Sequence, residues 1–454
     1  MTLVVVLLAD AMDLIDATIA NVAAPSLVAD LGAGPSLIKW LGASYALALG
    51  ALLVVGGRIG DRFGQRRTFL IGLSGFVLAS ALAGLAIGPG MLIGARVAQG
   101  TFGALLIPQG MAIITATFPK DALRKAFGIF APMLGVFAVA GPLLGGVLID
   151  ANVFGLQWRP VFLINIVVGG VALVLAFRFL PAVEADRTAR VDLTASALLA
   201  VSLFGFLFGL ITGSEDGWGA VAIGTTAAGI ALFAVFCRVQ ARSDRPLLAR
   251  SLLRNRGFTS GLVMGLLVFA AFSGLMYVIS LFFQLGLGYS PTTTSINLIP
   301  LTAGIMGGSG ISTALVPRFG RKIVFAGLLT TLAGTGILLL VVSAVGGNAT
   351  WWHNAAATAV IGLGAGICFS TIFTFALGDV AAHEAGAASG SLSAVQQVAN
   401  GIGSATVTSV FLSLATGGGT TAAMTTTLLV VGGVIIACLA VVPLLPRTAA
   451  NPEH

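Results

Sequence analysis

Fourteen apolar runs, each long enough to cross a lipid bilayer, dominate this chain of 454 residues. They fall at about 3–24, 37–57, 68–86, 91–118, 126–149, 161–180, 193–212, 220–237, 258–285, 295–316, 323–345, 355–377, 387–415 and 422–445. About 20 apolar residues, wound as a helix, cover the ~30 Å hydrocarbon core. The predicted fold is therefore an all-α polytopic membrane protein with fourteen transmembrane helices. The charge content agrees: Asp, Glu, Lys and Arg make up only 9% of the residues, against roughly a quarter in soluble domains. So few charges cannot cover a soluble surface of this size. That excludes a soluble enzyme, a nucleic-acid binder and a disordered chain, despite a net charge of +7. The first run carries three aspartates, which makes it too long and too acidic for the core of a secretory signal. Cys237, Cys368 and Cys438 all sit in apolar runs and read as small buried hydrophobes.

The rare charges carry topology. With the N-terminus inside, 20 of the 23 Lys and Arg residues fall in loops on the cytoplasmic side, as the positive-inside rule requires. Lys39 and Arg159 lie on the other side, and Arg96 lies within a span. Both termini are then cytoplasmic. A repeat is also visible. Arg-Phe-Gly stands at 62–64 after the second span and at 318–320 after the tenth, each in a short basic turn. Two related six-helix halves with an inserted pair (6+2+6) account for that spacing. The boundaries are 1–190 for the N-terminal half, 191–240 for the inserted pair, 241–256 for a basic cytoplasmic linker and 257–454 for the C-terminal half. Two related halves around a midplane site form a transporter architecture.

Several charged residues lie inside spans. Asp10, Asp13 and Asp16 are on the first helix, with Asp13 roughly 15 Å from Leu3. Spacings of three keep them within about 120° of one face. Ionised carboxylates at that depth are costly unless they face water or protein, and a set of them near mid-membrane suits a proton carrier. Arg96 demands a carboxylate or carbonyl partner for the same reason. The segment 57–67 packs Asp61, four arginines and three glycines into eleven residues. On the fifth helix, Gly135, Gly141, Gly145 and Gly146 offer a small face for close packing, and Pro142 bends it. No lysine follows a glycine, so the chain holds no Gly-Lys-Ser/Thr phosphate loop. An ion gradient is the alternative energy source. No metal-ligand cluster and no Ser–His pairing occurs in the spans, so neither metal nor cofactor is expected, and His353 and His383 read as ordinary loop residues.

These motifs resemble those of the major facilitator superfamily, and within it the fourteen-helix drug:proton antiporters. The resemblance rests on Gly57–Arg67 after helix two, on Leu92-Ile93-Gly94-Ala95-Arg96-Val97-Ala98-Gln99-Gly100 in helix four, and on Gly135–Gly146 in helix five. It rests also on Leu14-Ile15-Asp16-Ala17-Thr18-Ile19-Ala20-Asn21-Val22-Ala23-Ala24-Pro25 in helix one, and on Trp158-Arg159-Pro160-Val161-Phe162-Leu163-Ile164-Asn165. It implies a secondary active transporter, not an enzyme. Such a protein exports lipophilic, often cationic, drugs from the cytoplasm in exchange for protons, as a monomer in the bacterial cytoplasmic membrane. Its partners are the substrate, protons and membrane lipid, with no nucleic acid. Asp16, Asp13 and Arg96 take the proton-coupling role. Gly57, Asp61, Arg62, Gly64, Arg66 and Arg67 form a conformational latch, although Gln65 replaces a usual basic residue. Gly135, Gly141, Pro142, Gly145 and Gly146 form the antiporter motif. Tyr45, Gln109, Tyr277, Phe283, Gln284 and Asn297, with Trp40 and Phe282 nearby, correspond to spans that line the family's substrate cavity, where aromatic faces and an acid favour lipophilic cations. An exporter of one endogenous lipid, siderophore or antibiotic fits the same residues, and a non-transporting membrane sensor or scaffold is the alternative of another class.

Overall fold

The structure, a computed structural model, describes residues 1–118, 133, 137, 140–181, 193–215, 218–243, 250–378, 380 and 385–447. Among these residues there is no β-strand. The first helices are α1 (Thr2–Asp30), α2 (Ser36–Phe63), α3 (Gln65–Gly84), α4 (Pro89–Thr117), α5 (Ala140–Asp150), α6 (Pro160–Phe179), α7 (Leu193–Glu215) and α8 (Ala220–Arg242). A short α9 (Arg250–Arg254) leads into α10 (Arg256–Leu281). Then come α11 (Pro291–Phe319), α12 (Lys322–Val345), α13 (Trp351–Gly378), α14 (Ala385–Gly418) and α15 (Thr420–Val441). Among the described residues, eleven helices are long and apolar enough to cross a membrane; α5 and residues 197–213 of α7 are shorter apolar helices. The 29-residue α1 is not one of the eleven; it carries three buried aspartates.

The helix ends follow from local chemistry. Pro89, Pro160 and Pro291 occupy first turns, where a missing N–H costs nothing. Asn255 caps α10 by accepting from the Phe258 N–H, and Ser290 caps α11 by accepting from that of Thr293. Gly64, with φ 95°, makes the turn from α2 to α3 and Gly320, with φ 53°, the turn from α11 to α12. Both turns enter the left-handed region that a side chain resists.

The chain divides into two compact units, Met1–Phe206 with Ala227–Phe236, and Leu207–Thr226 with Cys237–His454. In the first unit α4 packs on α2 and α3, and α6 packs on α1 and α3. In the second unit α13 packs on α11 and α12, and α15 packs on α10 and α12. The second arrangement repeats the first with each helix number raised by nine. Small residues make the contacts close: a Cβ at Gly56 would strike the Ala104 backbone, and one at Gly362 the Leu301 backbone. Such stripes replace hydrophobic driving force as the basis of packing in lipid. Large apolar side chains fill the interior, as Phe69, Phe76 and Phe162 do, and also cover the outside, where Val167, Val171 and Val174 form an exposed stripe on α6. Polar groups turn inward, the reverse of a soluble protein.

Candidate functional site

Charge and burial concentrate at one place in the first unit. Asp16 and Arg96 are both fully buried and form an ion pair, Arg96 Nη1 donating to Asp16 Oδ2. Arg96 Nη1 also donates to Gln99 Oε1 at 3.1 Å, and its Nε to the Leu41 carbonyl at 3.1 Å. The second oxygen of Asp16 accepts from Gln99 Nε2 at 2.9 Å and from Asn165 Nδ2 at 2.7 Å. Ser80 Oγ lies 2.8 Å from Gln99 Nε2 and 3.2 Å from Asn165 Nδ2. Five helices therefore meet around one ion pair: α1 supplies the carboxylate, α4 the cation and an amide, α6 a second amide, and behind these α3 gives a hydroxyl to the amides and α2 a carbonyl to the cation. A buried ion pair needs such extra hydrogen bonds to offset its desolvation.

One turn away, the Tyr45 hydroxyl of α2 donates to Asp13 Oδ1. The Tyr45 ring lies under the Arg96 guanidinium, 4.4 Å from its carbon, and Phe162 approaches within 5.9 Å. Gly103 on α4 leaves the space: a Cβ there would come 3.3 Å from Asp13 Oδ1 and 3.7 Å from the Tyr45 hydroxyl. Asp16 thus contacts Arg96 directly, while Tyr45 touches Asp13 through its hydroxyl and Arg96 through its ring. Asp10 is buried on the same helix.

Helix α5 comes against α1 at this level. A Cβ on Gly141 would collide with Thr18 Oγ1 and stand 3.0 Å from the Ile15 carbonyl, and one on Gly145 would stand 2.6 Å from Ile19 Cγ1. Gly146 and Pro142 are buried beside them, and Gly135 lies outside the described residues. The small face of α5 therefore borders the turn that carries Asp16.

The basic turn lies at the other end of α2. Arg66 Nη2 donates to the Phe177 carbonyl at the end of α6, at 2.7 Å. Arg62 sits over the Phe63 ring at 5.3 Å. Asp61, Arg62 and Arg67 are exposed. A Cβ on Gly57 would only touch Pro108, at 3.7 Å, whereas one on Gly60 would collide with the Gln109 carboxamide. Gln109 is buried and donates to the Gly56 carbonyl at 2.8 Å, so its amide joins α4 to α2. In the second unit Tyr277, Phe283 and Asn297 are buried, and Gln284 is half-buried, 3.4 Å from Ser280 Oγ. The Phe283 ring packs on Tyr289 at 6.0 Å, and Asn297 Nδ2 donates to the Thr293 carbonyl at 2.7 Å.

Residues 6–404 match the Major Facilitator Superfamily. The chain belongs to that superfamily. As a member of the Major Facilitator Superfamily it is a multi-pass membrane transporter rather than an enzyme. It is 41% identical over 415 residues to the probable actinorhodin transporter of Streptomyces coelicolor, covering 90% of this chain and 72% of the relative. It is 32% identical over 410 residues to the tetracenomycin C resistance and export protein of Streptomyces glaucescens, covering 89% and 74%. Among solved structures, a bacterial homologue of the human lysosomal transporter Spinster superposes with a TM-score of 0.70 at 17% identity, over 100% of this chain and 98% of that one. At that identity the likeness shows the superfamily fold alone.

The structure adds residues to those the charges single out. Gln99 and Asn165 stand within motifs quoted from the sequence, but nothing local marks them as partners of Asp16. Ser80 carries no sequence signal at all. Tyr45, expected to face substrate, has its hydroxyl on Asp13. Lys39, counted among the outer charges, is buried in the first turn of α2. A further ion pair, Asp30 Oδ2 with Arg159 Nη1 at 3.0 Å, shares its carboxylate oxygen with Trp158 Nε1 at 2.9 Å and ties the end of α1 to the start of α6.

Proposed function

We propose that this transporter is a proton-coupled antiporter of the fourteen-helix drug:proton family, exporting lipophilic, often cationic, drugs from the cytoplasm by alternating access. The observation that carries the proposal is the buried Asp16–Arg96 pair with Asp13 and Tyr45 beside it. A carboxylate pair sharing one arginine has two arrangements, depending on which carboxylate the cation serves. Such bistability is what coupling requires: a proton that neutralises one acid releases the arginine to the other. Asp16 spends both oxygens on donors from Arg96, Gln99 and Asn165, whereas the recorded donor to Asp13 is the Tyr45 hydroxyl. In this reading Asp13 is the acid that exchanges its proton, Asp16 is the anchoring anion, and Arg96 with Tyr45 carries the change between them. The glycines of α5 let that change be felt along α1. The segment Gly57–Arg67 acts as the latch between conformations, and Tyr277, Phe283, Gln284 and Asn297 contribute the substrate surface.

In the same reading the chain crosses the bacterial cytoplasmic membrane fourteen times in a 6+2+6 arrangement, both termini inside. Residues 1–190 and 257–454 form the two halves, 191–240 the inserted pair and 241–256 the linker, and the protein works as a monomer. The names of the relatives, which concern transport, export and resistance to antibiotics, support the export direction. They also favour a second reading, an exporter dedicated to a single antibiotic. Susceptibility and dye efflux in cells producing wild type or Asp16→Asn test both readings. Broad resistance that Asp16→Asn abolishes supports the first, and protection against one compound alone supports the second. Protection that persists in Asp16→Asn contradicts the assigned coupling site.

A further inference from the structure

A second polar site lies in the second unit, far along the chain from the aspartates. A cavity of about 590 Å³ opens where the start of α10, the α11–α12 turn and the segment after α15 converge. Arg256, Arg321 and Arg447 line it, one from each segment, and among the described residues no carboxylate lines it. Arg321 is fixed in place: its Nη1 donates to the carbonyls of Pro443 at 2.9 Å and Leu445 at 3.1 Å, and its backbone N–H to that of Arg447 at 3.4 Å. Among the described residues, none of the three has a carboxylate partner. Three arginines around one opening attract an anion, because like charges so placed repel each other unless one is bound.

The first unit supplies an internal control. Its corresponding turn places Arg66 on the Phe177 carbonyl at the end of α6, just as Arg321 sits on the carbonyls after α15. In the Arg-Phe-Gly register Arg66 stands opposite Lys322 and Arg321 opposite Gln65, so the contact rather than the position is common to both units. The other two cations are not. Thr2, whose hydroxyl donates to the Phe179 carbonyl at 3.4 Å, begins α1 where Arg256 begins α10. The run Leu180-Pro181-Ala182 matches Leu445-Pro446-Arg447. The second unit thus carries arginines where the first has Thr2 and Ala182. Apolar side chains flank them: Leu444 in the cavity wall and, nearby in the chain, Phe319 and Leu253 are 63%, 43% and 49% exposed. A soluble anion needs the cations only, whereas a lipid needs cations beside an apolar surface.

We propose that this cavity binds the phosphate headgroup of an anionic phospholipid. Arg256, Arg321 and Arg447 hold the phosphate, and the exposed Leu444 packs against the acyl chains. Each basic side chain next to an anionic headgroup strengthens binding about fivefold, so removing two weakens it roughly thirtyfold. The test uses purified full-length protein in detergent, titrated with phosphatidylglycerol, phosphatidylcholine or inorganic phosphate and read by native mass spectrometry and thermal unfolding. Wild type is expected to retain phosphatidylglycerol and gain stability from it, with little response to phosphatidylcholine or to inorganic phosphate. Arg256→Gln with Arg447→Gln is expected to lose that response. Arg254→Gln with Arg318→Gln, which removes the same charge outside the cavity, is expected to keep it. Arg447→Gln alone serves if the double variant does not fold, with about a fivefold loss. Equal retention by wild type and the cavity variants overturns the proposal, as does equal loss in the control pair. A response to inorganic phosphate equal to that to the lipid overturns the lipid assignment.

Discussion

Replacing Arg96 by leucine removes a cation from a fully buried carboxylate, and the structure shows what is left behind. Asp16 loses the ion pair, Gln99 Oε1 loses a donor at 3.1 Å and the Leu41 carbonyl loses another at 3.1 Å. Stranding one partner of a buried pair costs about 3–5 kcal/mol. Asp16 keeps the amides of Gln99 and Asn165, which places the cost near the lower end. An unsatisfied acceptor adds about 1 kcal/mol, so Arg96→Leu is expected to lose roughly 4 kcal/mol. Asp16→Asn in the same chain removes the stranded charge while keeping an acceptor for both amides. The double variant is therefore expected to recover about 2 kcal/mol relative to the sum of the singles. Equilibrium unfolding in mixed micelles of wild type, both singles and the double measures that coupling. Additivity to within ~0.5 kcal/mol would refute the claim that the pair is a single energetic unit.

Tyr45→Phe keeps the aromatic face and removes only the hydroxyl on Asp13; loss of efflux with normal membrane abundance is expected, while unchanged efflux would make Tyr45 a lining residue only. Gly141→Ala drives a methyl into Thr18, at about 1–3 kcal/mol of overpacking, and Thr18→Ala is expected to restore part of the lost transport in the double variant. Gly64→Ala forces a side chain into a backbone with φ 95°, so a loss of about 1 kcal/mol is expected in the same unfolding assay. Cys368 and Cys438 are buried as the sequence suggests, but Cys237, read there as buried too, is exposed near the end of α8; a maleimide is expected to label the folded protein once, at Cys237, and labelling at the other two would contradict the packing of α13 and α15.

Much of this was legible in the sequence because the membrane makes charge conspicuous. Asp16 and Arg96 stand out in apolar runs, and the expense of burying either alone predicts that each has a partner. The turn at Gly64 and its copy at Gly320 were legible because two short motifs share Arg-Phe-Gly. The amides that hold Asp16 were not. Gln99 and Asn165 come from helices 66 residues apart in the chain, and Ser80 is one hydroxyl among many in small-residue helices. Their meaning arises only where α3, α4 and α6 pack together. Lys39 shows the converse limit. Hydropathy places it at a span's edge, but only the packing of α2 decides that its chain is buried.

The central claim is that protons drive export through the Asp13–Asp16–Arg96 set. Purified protein in liposomes, loaded with a pH-sensitive dye and given an imposed pH gradient, tests it most directly. Wild type is predicted to concentrate a lipophilic cation against its gradient while protons move the opposite way, and Asp16→Asn and Arg96→Lys are predicted to abolish both fluxes together. Substrate accumulation without proton movement, or proton-driven accumulation that survives in both variants, would contradict it.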